Sequence, residues 1–162
     1  MTKPNVIFIL IDDMGWKDIS CMGSEFYESP NIDRIATEGM LFTDAYASCP
    51  VCSPTRASIM SGKYPARIGL THFIGNEEHN QGLTEKGKLL GVPYVPYLST
   101  DEKSMASAFK QHGYKTWHLG KWHMGSEEYW PDKHGFDINI GGCHMGHPSG
   151  SGNYFQPWEI PT

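Results

Sequence analysis

The sequence predicts an α/β fold, a mainly parallel sheet flanked by helices, and three stretches carry that prediction. Pro4 to Ile11 reads PNVIFILI, a continuous apolar, β-branched run of the kind that forms a strand buried on both faces of a parallel sheet. ESPNIDRIATEGM follows with a full set of helix signals, and MLFTDAYA after it alternates well enough for a second strand. A strand, a helix and a strand in so few residues make a parallel α/β unit.

Each element has its own grammar. The first strand stops at Asp12-Asp13, where two carboxylates replace apolar side chains. The first helix has Ser29 as N-cap, Pro30 at the first helical position, Ile32, Ile35 and Ala36 on one face, and Gly39 as terminator. A second helix is expected in CPVCSPTRASIMSG, capped by Ser53, with Pro54 in the first turn and Gly62 at the end, so that Cys52 sits just before its N-terminus. Residues 70 to 98 mix Gly, Pro, Asn, His and Glu without a period and read as a long loop, which in a compact domain more often serves function than not. Ser99 and Glu102 form a capping box for a third helix with Met105, Ala106 and Phe109 as its stripe and Gly113 at its end. A short strand from about Tyr114 to Leu119 comes next, and the chain beyond Gly135 is rich in Gly, His, Pro and aromatic residues.

Composition narrows the function. A chain of 162 residues, 39% hydrophobic, can bury one sizeable core. Its longest apolar run, Val6 to Ile11, is far short of the roughly 20 residues of a membrane span, and no charged leader with an apolar core precedes it. These features predict no membrane partner, and they leave the compartment open between cytoplasm and periplasm or exterior. A formal charge of −5 without clustered Lys and Arg argues against nucleic acid as partner. Four cysteines, at 21, 49, 52 and 143, are too sparse for a disulfide scaffold.

The pair Cys49 and Cys52 admits several readings. Zinc needs two further ligands, usually a second close pair, and the sequence has no such pair. A redox dithiol opens its helix with the first cysteine, whereas here the second stands at the helix start. Packing of two buried cysteines is the plain alternative.

The residues after Cys52 are more informative. C-x-P-x-R at a helix start, continued by ASIMSGKYP, resembles the signature of the type I sulfatases, of the alkaline phosphatase-like superfamily. PNVIFILIDDMGWKDISCMG, SPNIDRIATEGMLFTDAY, CSPTRASIMSGKYPARIGL and GYKTWHLGKWHMG resemble that family's blocks in order and spacing. The resemblance implies that Cys52 is converted to formylglycine by a formylglycine-generating or sulfatase-maturing enzyme. It implies that Asp12, Asp13 and position 52 are metal ligands for Ca²⁺, with Mg²⁺ possible, as suits hard oxygen donors.

Arg56, one helical turn on, is then placed to hold the diol of the aldehyde or its sulfated form by forked hydrogen bonds. Lys121 and His123, two residues apart, point to one side if the chain is extended there. Lys121 is implied to bind sulfate oxygens, and His123 to bind or deprotonate the diol. His118 is read as structural, and His144 and His147 as candidates for a substrate subsite. The implied reaction is hydrolysis of sulfate monoesters, of sulfated sugars in view of the Tyr, Trp, His and Asn in the loops at 70 to 98 and 141 to 158.

The family's remaining metal ligands, a second sulfate-binding Lys and the His that protonates the leaving alcohol come from beyond these blocks. Residues 1–162 are therefore expected to be the N-terminal portion of a sulfatase catalytic domain that by itself binds metal weakly and turns over little. Phosphonate monoester hydrolases and phosphodiesterases of the same superfamily share C-x-P-x-R and remain the nearest alternative; a redox or zinc module on Cys49 and Cys52 is the alternative from another class.

Overall fold

The computed structural model describes residues 3–80 and 90–148. The chain divides into two compact units, Met1–Tyr46 and Ala47–Thr162. The expected loop at 70 to 98 is partly, and the tail beyond 148 wholly, outside the described residues.

In the first unit the expected strand at 4–11 is corrected. The segment pairs with no strand among the described residues, and its side chains are open, with Ile7 86% and Ile9 73% exposed. MLFTDAYA likewise forms no strand, turns at Thr43-Asp44, and leaves Met40, Phe42 and Tyr46 exposed. The physical reason is common to both: an apolar run favours extended backbone, but a strand exists only through the ladder bonds of a neighbour.

The first helix forms as expected. α1 spans Pro30–Glu38, with Pro30 in its first turn and the Gly39 N–H donating to the Ile35 carbonyl. Ser29 occupies the N-cap position, but its hydroxyl does not cap. It donates instead to Asp33 Oδ1 at 2.9 Å and accepts from the Ser20 N–H at 2.8 Å. Asp33 Oδ1 also accepts the Cys21 N–H at 2.9 Å, so one carboxylate ties the 3₁₀ turn Ser20–Met22 to α1. Burial works against the charge on Asp33, yet the hydrogen bonds from Ser29 and Cys21 prevail and hold its pKa below the ordinary value.

The second unit carries the core. α2 (Cys52–Ser61) ends at Gly62, whose φ of 67° is the left-handed turn a glycine adopts without strain. α3 (Pro65–Ile68) and α4 (Glu77–Asn80) are single turns, too short for sequence pattern to mark. Ala57, Met60, Leu70, Leu98, Trp122 and Met124 form the buried cluster. The expected cap of α2 is corrected: Val51 holds the N-cap position, Cys52 is the first helical residue, and the Ser53 hydroxyl accepts the Ile74 N–H at 3.1 Å. A hydroxyl that serves a long-range contact is lost to local capping.

The third helix starts later than its capping box implies. α5 spans Met105–Gln111, with Ser104 as N-cap, its hydroxyl accepting the Ser107 N–H at 2.9 Å and donating to the His134 carbonyl. Ser99 closes a separate turn by accepting the Glu102 N–H, and Glu102 pairs with Lys63. Replacing Ser104 with Ala is expected to cost about 1–2 kcal/mol, through the cap and the orphaned carbonyl. Ser99→Ala is expected to stay within about 0.5 kcal/mol. Urea unfolding of the two variants checks the difference, and equal losses would contradict the assignment.

β1 (Trp117–Leu119) falls within the expected strand and pairs in parallel with β2 (Ile138–Ile140), in the register Trp117 to Ile138, His118 to Asn139 and Leu119 to Ile140. Three residues of β2 in a glycine-rich region give too little pattern to recognise. His118 and Asn139 occupy the inner positions of this ribbon, and the connection between the strands holds Trp122 and two 3₁₀ turns, Glu127–Tyr129 and Pro131–His134. No helix among the described residues is long and apolar enough to cross a membrane.

Candidate active site

Cys52 owes its position to the helix start. As the first residue of α2 it stands where unpaired N–H groups and the helix dipole favour negative charge. Its Sγ lies 3.3 Å from Nδ1 of His123, a residue 71 positions away in sequence. The other ring nitrogen, Nε2, is 2.9 Å from the Ile74 carbonyl, which can only accept. Nε2 therefore carries the proton in the neutral ring, and Nδ1 is left as the acceptor facing position 52.

The electrostatics follow from this arrangement. Burial raises the Cys52 thiol, but the thiolate gains the hydrogen bond and charge of the His123 ring once Nδ1 has taken the proton, with the charge of Lys121 and the Ser53 N–H, and these together bring it from 9.0 down to about 7. A cysteine so placed is more acidic than one that merely packs.

His123 is held in an uncommon conformation. Its φ is 54°, in the left-handed region that costs a non-glycine residue of order 1–3 kcal/mol. Lys121 and His123 therefore do not lie along an extended strand as expected; the chain kinks between them. The His123 N–H donates to the Cys143 carbonyl at 3.1 Å, which helps to hold the kink. Arg56, buried on α2, donates from Nη1 to the Lys121 carbonyl at 2.5 Å, so the guanidinium braces the segment that carries Lys121 and His123.

Four of the sequence-predicted residues, Cys52, Arg56, Lys121 and His123, thus share one neighbourhood in the second unit. Asp12 and Asp13 belong to the first unit, at a turn where Asp13 has φ 56°. Their carboxylates are hard donors suited to Ca²⁺ or Mg²⁺, but calcium takes 6–8 oxygens. Among the described residues no three His, Cys, Asp or Glu side chains gather into a metal-binding group. These residues alone do not complete a cation shell.

Cys49 and Cys52 are both free thiols, and the Cys49 carbonyl accepts the Thr55 hydroxyl at 2.6 Å. His118 lies next to Arg56 and the Lys121 backbone. Burial, with the charge of Arg56 and against Asn139 and the Lys121 backbone, pushes it down to about 4, so it stays neutral beside Trp122 at 5.1 Å between ring centroids. The groups sequence reasoning missed are the Ile74 and Cys143 carbonyls and Ser53. Backbone acceptors leave no trace in side-chain pattern.

A nucleophile at a helix N-terminus, paired with a base whose tautomer a third group fixes, is the arrangement hydrolytic enzymes use for covalent catalysis. The chain belongs to the sulfatase family, whose family model, described as Sulfatase, matches residues 4–156. It is 38% identical over 146 residues to N-acetylgalactosamine-6-sulfatase of Rattus norvegicus, an alignment covering 88% of this chain and 26% of that protein. The crystal structure of Ps i-CgsB superposes with a TM-score of 0.73 at 35% identity, covering 95% of this chain and 30% of that one. The same protein in complex with k-i-k-neocarrahexaose gives 0.66 at 34%, covering 89% and 28%. The alkaline phosphatase-like fold class is thereby supported, with a small parallel sheet here. The chain spans about a quarter of the length of the curated relatives it matches.

Proposed function

We propose that residues 1–162 are the N-terminal portion of a sulfatase catalytic domain that hydrolyses sulfate monoesters of carbohydrates. The observation that carries this reading is the 3.3 Å pairing of His123 with Cys52, the first residue of C-x-P-x-R, in a sulfatase-family chain. Relatives named for a sugar sulfate and a neighbour in complex with k-i-k-neocarrahexaose support the carbohydrate class.

In this reading a maturing enzyme converts Cys52 to formylglycine, which when hydrated supplies an oxygen nucleophile with a second hydroxyl on the same carbon. His123 faces that position with an unprotonated Nδ1 and takes a proton there, because Ile74 holds the proton on Nε2. Lys121 supplies positive charge for the sulfate oxygens. Arg56 orients the Lys121 segment through its carbonyl and adds a buried positive charge. Asp12 and Asp13 are the proposed ligands for a cation, Ca²⁺ or Mg²⁺.

Mass spectrometry of the Cys52 peptide from the native host, with assays of the full-length protein on sulfated sugars and on phosphate esters, tests the reading. The expected results are an aldehyde at position 52, sulfate turnover, and a loss on the order of 10³-fold or more in Cys52→Ala. Unmodified Cys52 in active protein, or preference for phosphate diesters, would overturn it, and a Cys49 to Cys52 disulfide would favour the redox module.

A further inference from the structure

The face of the His123 ring is covered by backbone. A Cβ built on Gly146 would meet Cε1 of His123 at 2.7 Å and Nδ1 and Nε2 at 3.0 Å, so the three nearest atoms all belong to that imidazole. Real Cβ contacts are essentially never as short as the first of these, and the neighbour is an anchored ring rather than the loose end of a flexible side chain. Gly146 has a φ outside the left-handed region, so a side chain there meets no backbone strain; contact with the ring is what excludes it. Three residues earlier in the chain, the Cys143 carbonyl accepts the His123 N–H.

We propose that Gly146 is a positioning residue: with the Cys143 carbonyl it forms a bracket that presses the His123 imidazole toward position 52. The ring is then fixed at its backbone by Cys143, at Nε2 by Ile74 and across one face by Gly146, leaving only Nδ1 to work. Such fixing explains how a left-handed histidine only 6% exposed keeps one orientation. It makes residues 143–146, which contribute no reacting side chain, part of the catalytic geometry. A displacement of about 1 Å at a catalytic group is enough to cost on the order of 10²-fold in rate.

The catalytic consequence rests on the proposed sulfate ester hydrolysis, and the test separates the two. Gly146→Ala, His123→Ala and the double variant are made in the full-length protein. Gly146→Ala is expected to lower kcat on the order of 10²-fold with KM within about threefold, since only the base moves. It is also expected to lower the urea midpoint in the wild-type background and to leave it unchanged in the His123→Ala background, where the clashing ring is gone. If Gly146→Ala fails to fold, the double variant matching His123→Ala supports the bracket. Equal losses in both backgrounds, or Gly146→Ala with wild-type kcat, overturn it. Absence of sulfate turnover in the wild type would sink the functional reading alone, and the stability cycle would still judge the bracket.

Discussion

His123→Ala is expected to reduce sulfate ester hydrolysis by the full-length protein by about 10²–10⁴-fold, the range for losing a positioned general base. KM is expected to change little, because the ring faces the nucleophile and not the bulk of a sugar. The same substitution has a signature in the unconverted chain that needs no turnover. The Cys52 thiol sits near pH 7 because of His123 first and Lys121 second, working against burial. Without the imidazole it is expected to climb back toward 9 or above, since burial then has less opposing it. Alkylation of Cys52 by iodoacetamide, followed against pH, reads this directly as a rightward shift of the midpoint.

The linkage has a definite sign. With the folded thiol near 7 and the unfolded near 9, the unfolded chain binds more protons between those values, so stability rises as pH is raised through that window. The gain is present above the unfolded value, and it is lost as pH falls through the folded one. His123→Ala is expected to flatten that rise. An unchanged alkylation profile would mean that the 3.3 Å contact has no electrostatic consequence.

Trp122→Ala is expected to have the largest effect on stability, about 3–5 kcal/mol for emptying a fully buried indole. Trp122 is 0% exposed, and its Nε1 donates to the Tyr129 carbonyl at 2.7 Å. Three rings surround it, His118 at 5.1 Å, His134 at 5.3 Å and Phe136 at 6.0 Å between centroids. Truncation removes the packing and strands the carbonyl. Trp122→Phe keeps most of the volume and loses the hydrogen bond, so it is expected to cost less. Urea midpoints of the two variants check the order. Because Trp122 precedes His123, its loss also frees the kink, and activity is expected to fall alongside stability.

The fold class was legible in the sequence, its individual elements less so. Of the residues singled out by motif, Cys52, Arg56, Lys121 and His123 lie in one unit and Asp12 and Asp13 in the other. Capping was harder to read: Ser53 and Ser99 look like caps, yet a tertiary partner, the Ile74 N–H, takes the Ser53 hydroxyl, and the Ser99 hydroxyl accepts the Asp101 N–H in a separate local turn. The apolar runs at 4–11 and 40–46 specify extended chain, but pairing depends on neighbours that periodicity does not name. β2 was invisible because three residues carry no period. The Ile74 and Cys143 carbonyls were invisible because every residue has one, and Gly146 because a glycine's reason lies in what approaches it.

The separation of 71 residues between Cys52 and His123 has a temporal meaning. At about 5–20 residues per second, synthesis delivers Cys52 roughly 4–14 s before its partner. During that interval the imidazole that lowers and faces the Cys52 thiol in the folded chain has not yet been made. A modifying enzyme that acts then meets a plain cysteine in a short peptide; once the chain closes, it meets a thiol already engaged by the imidazole.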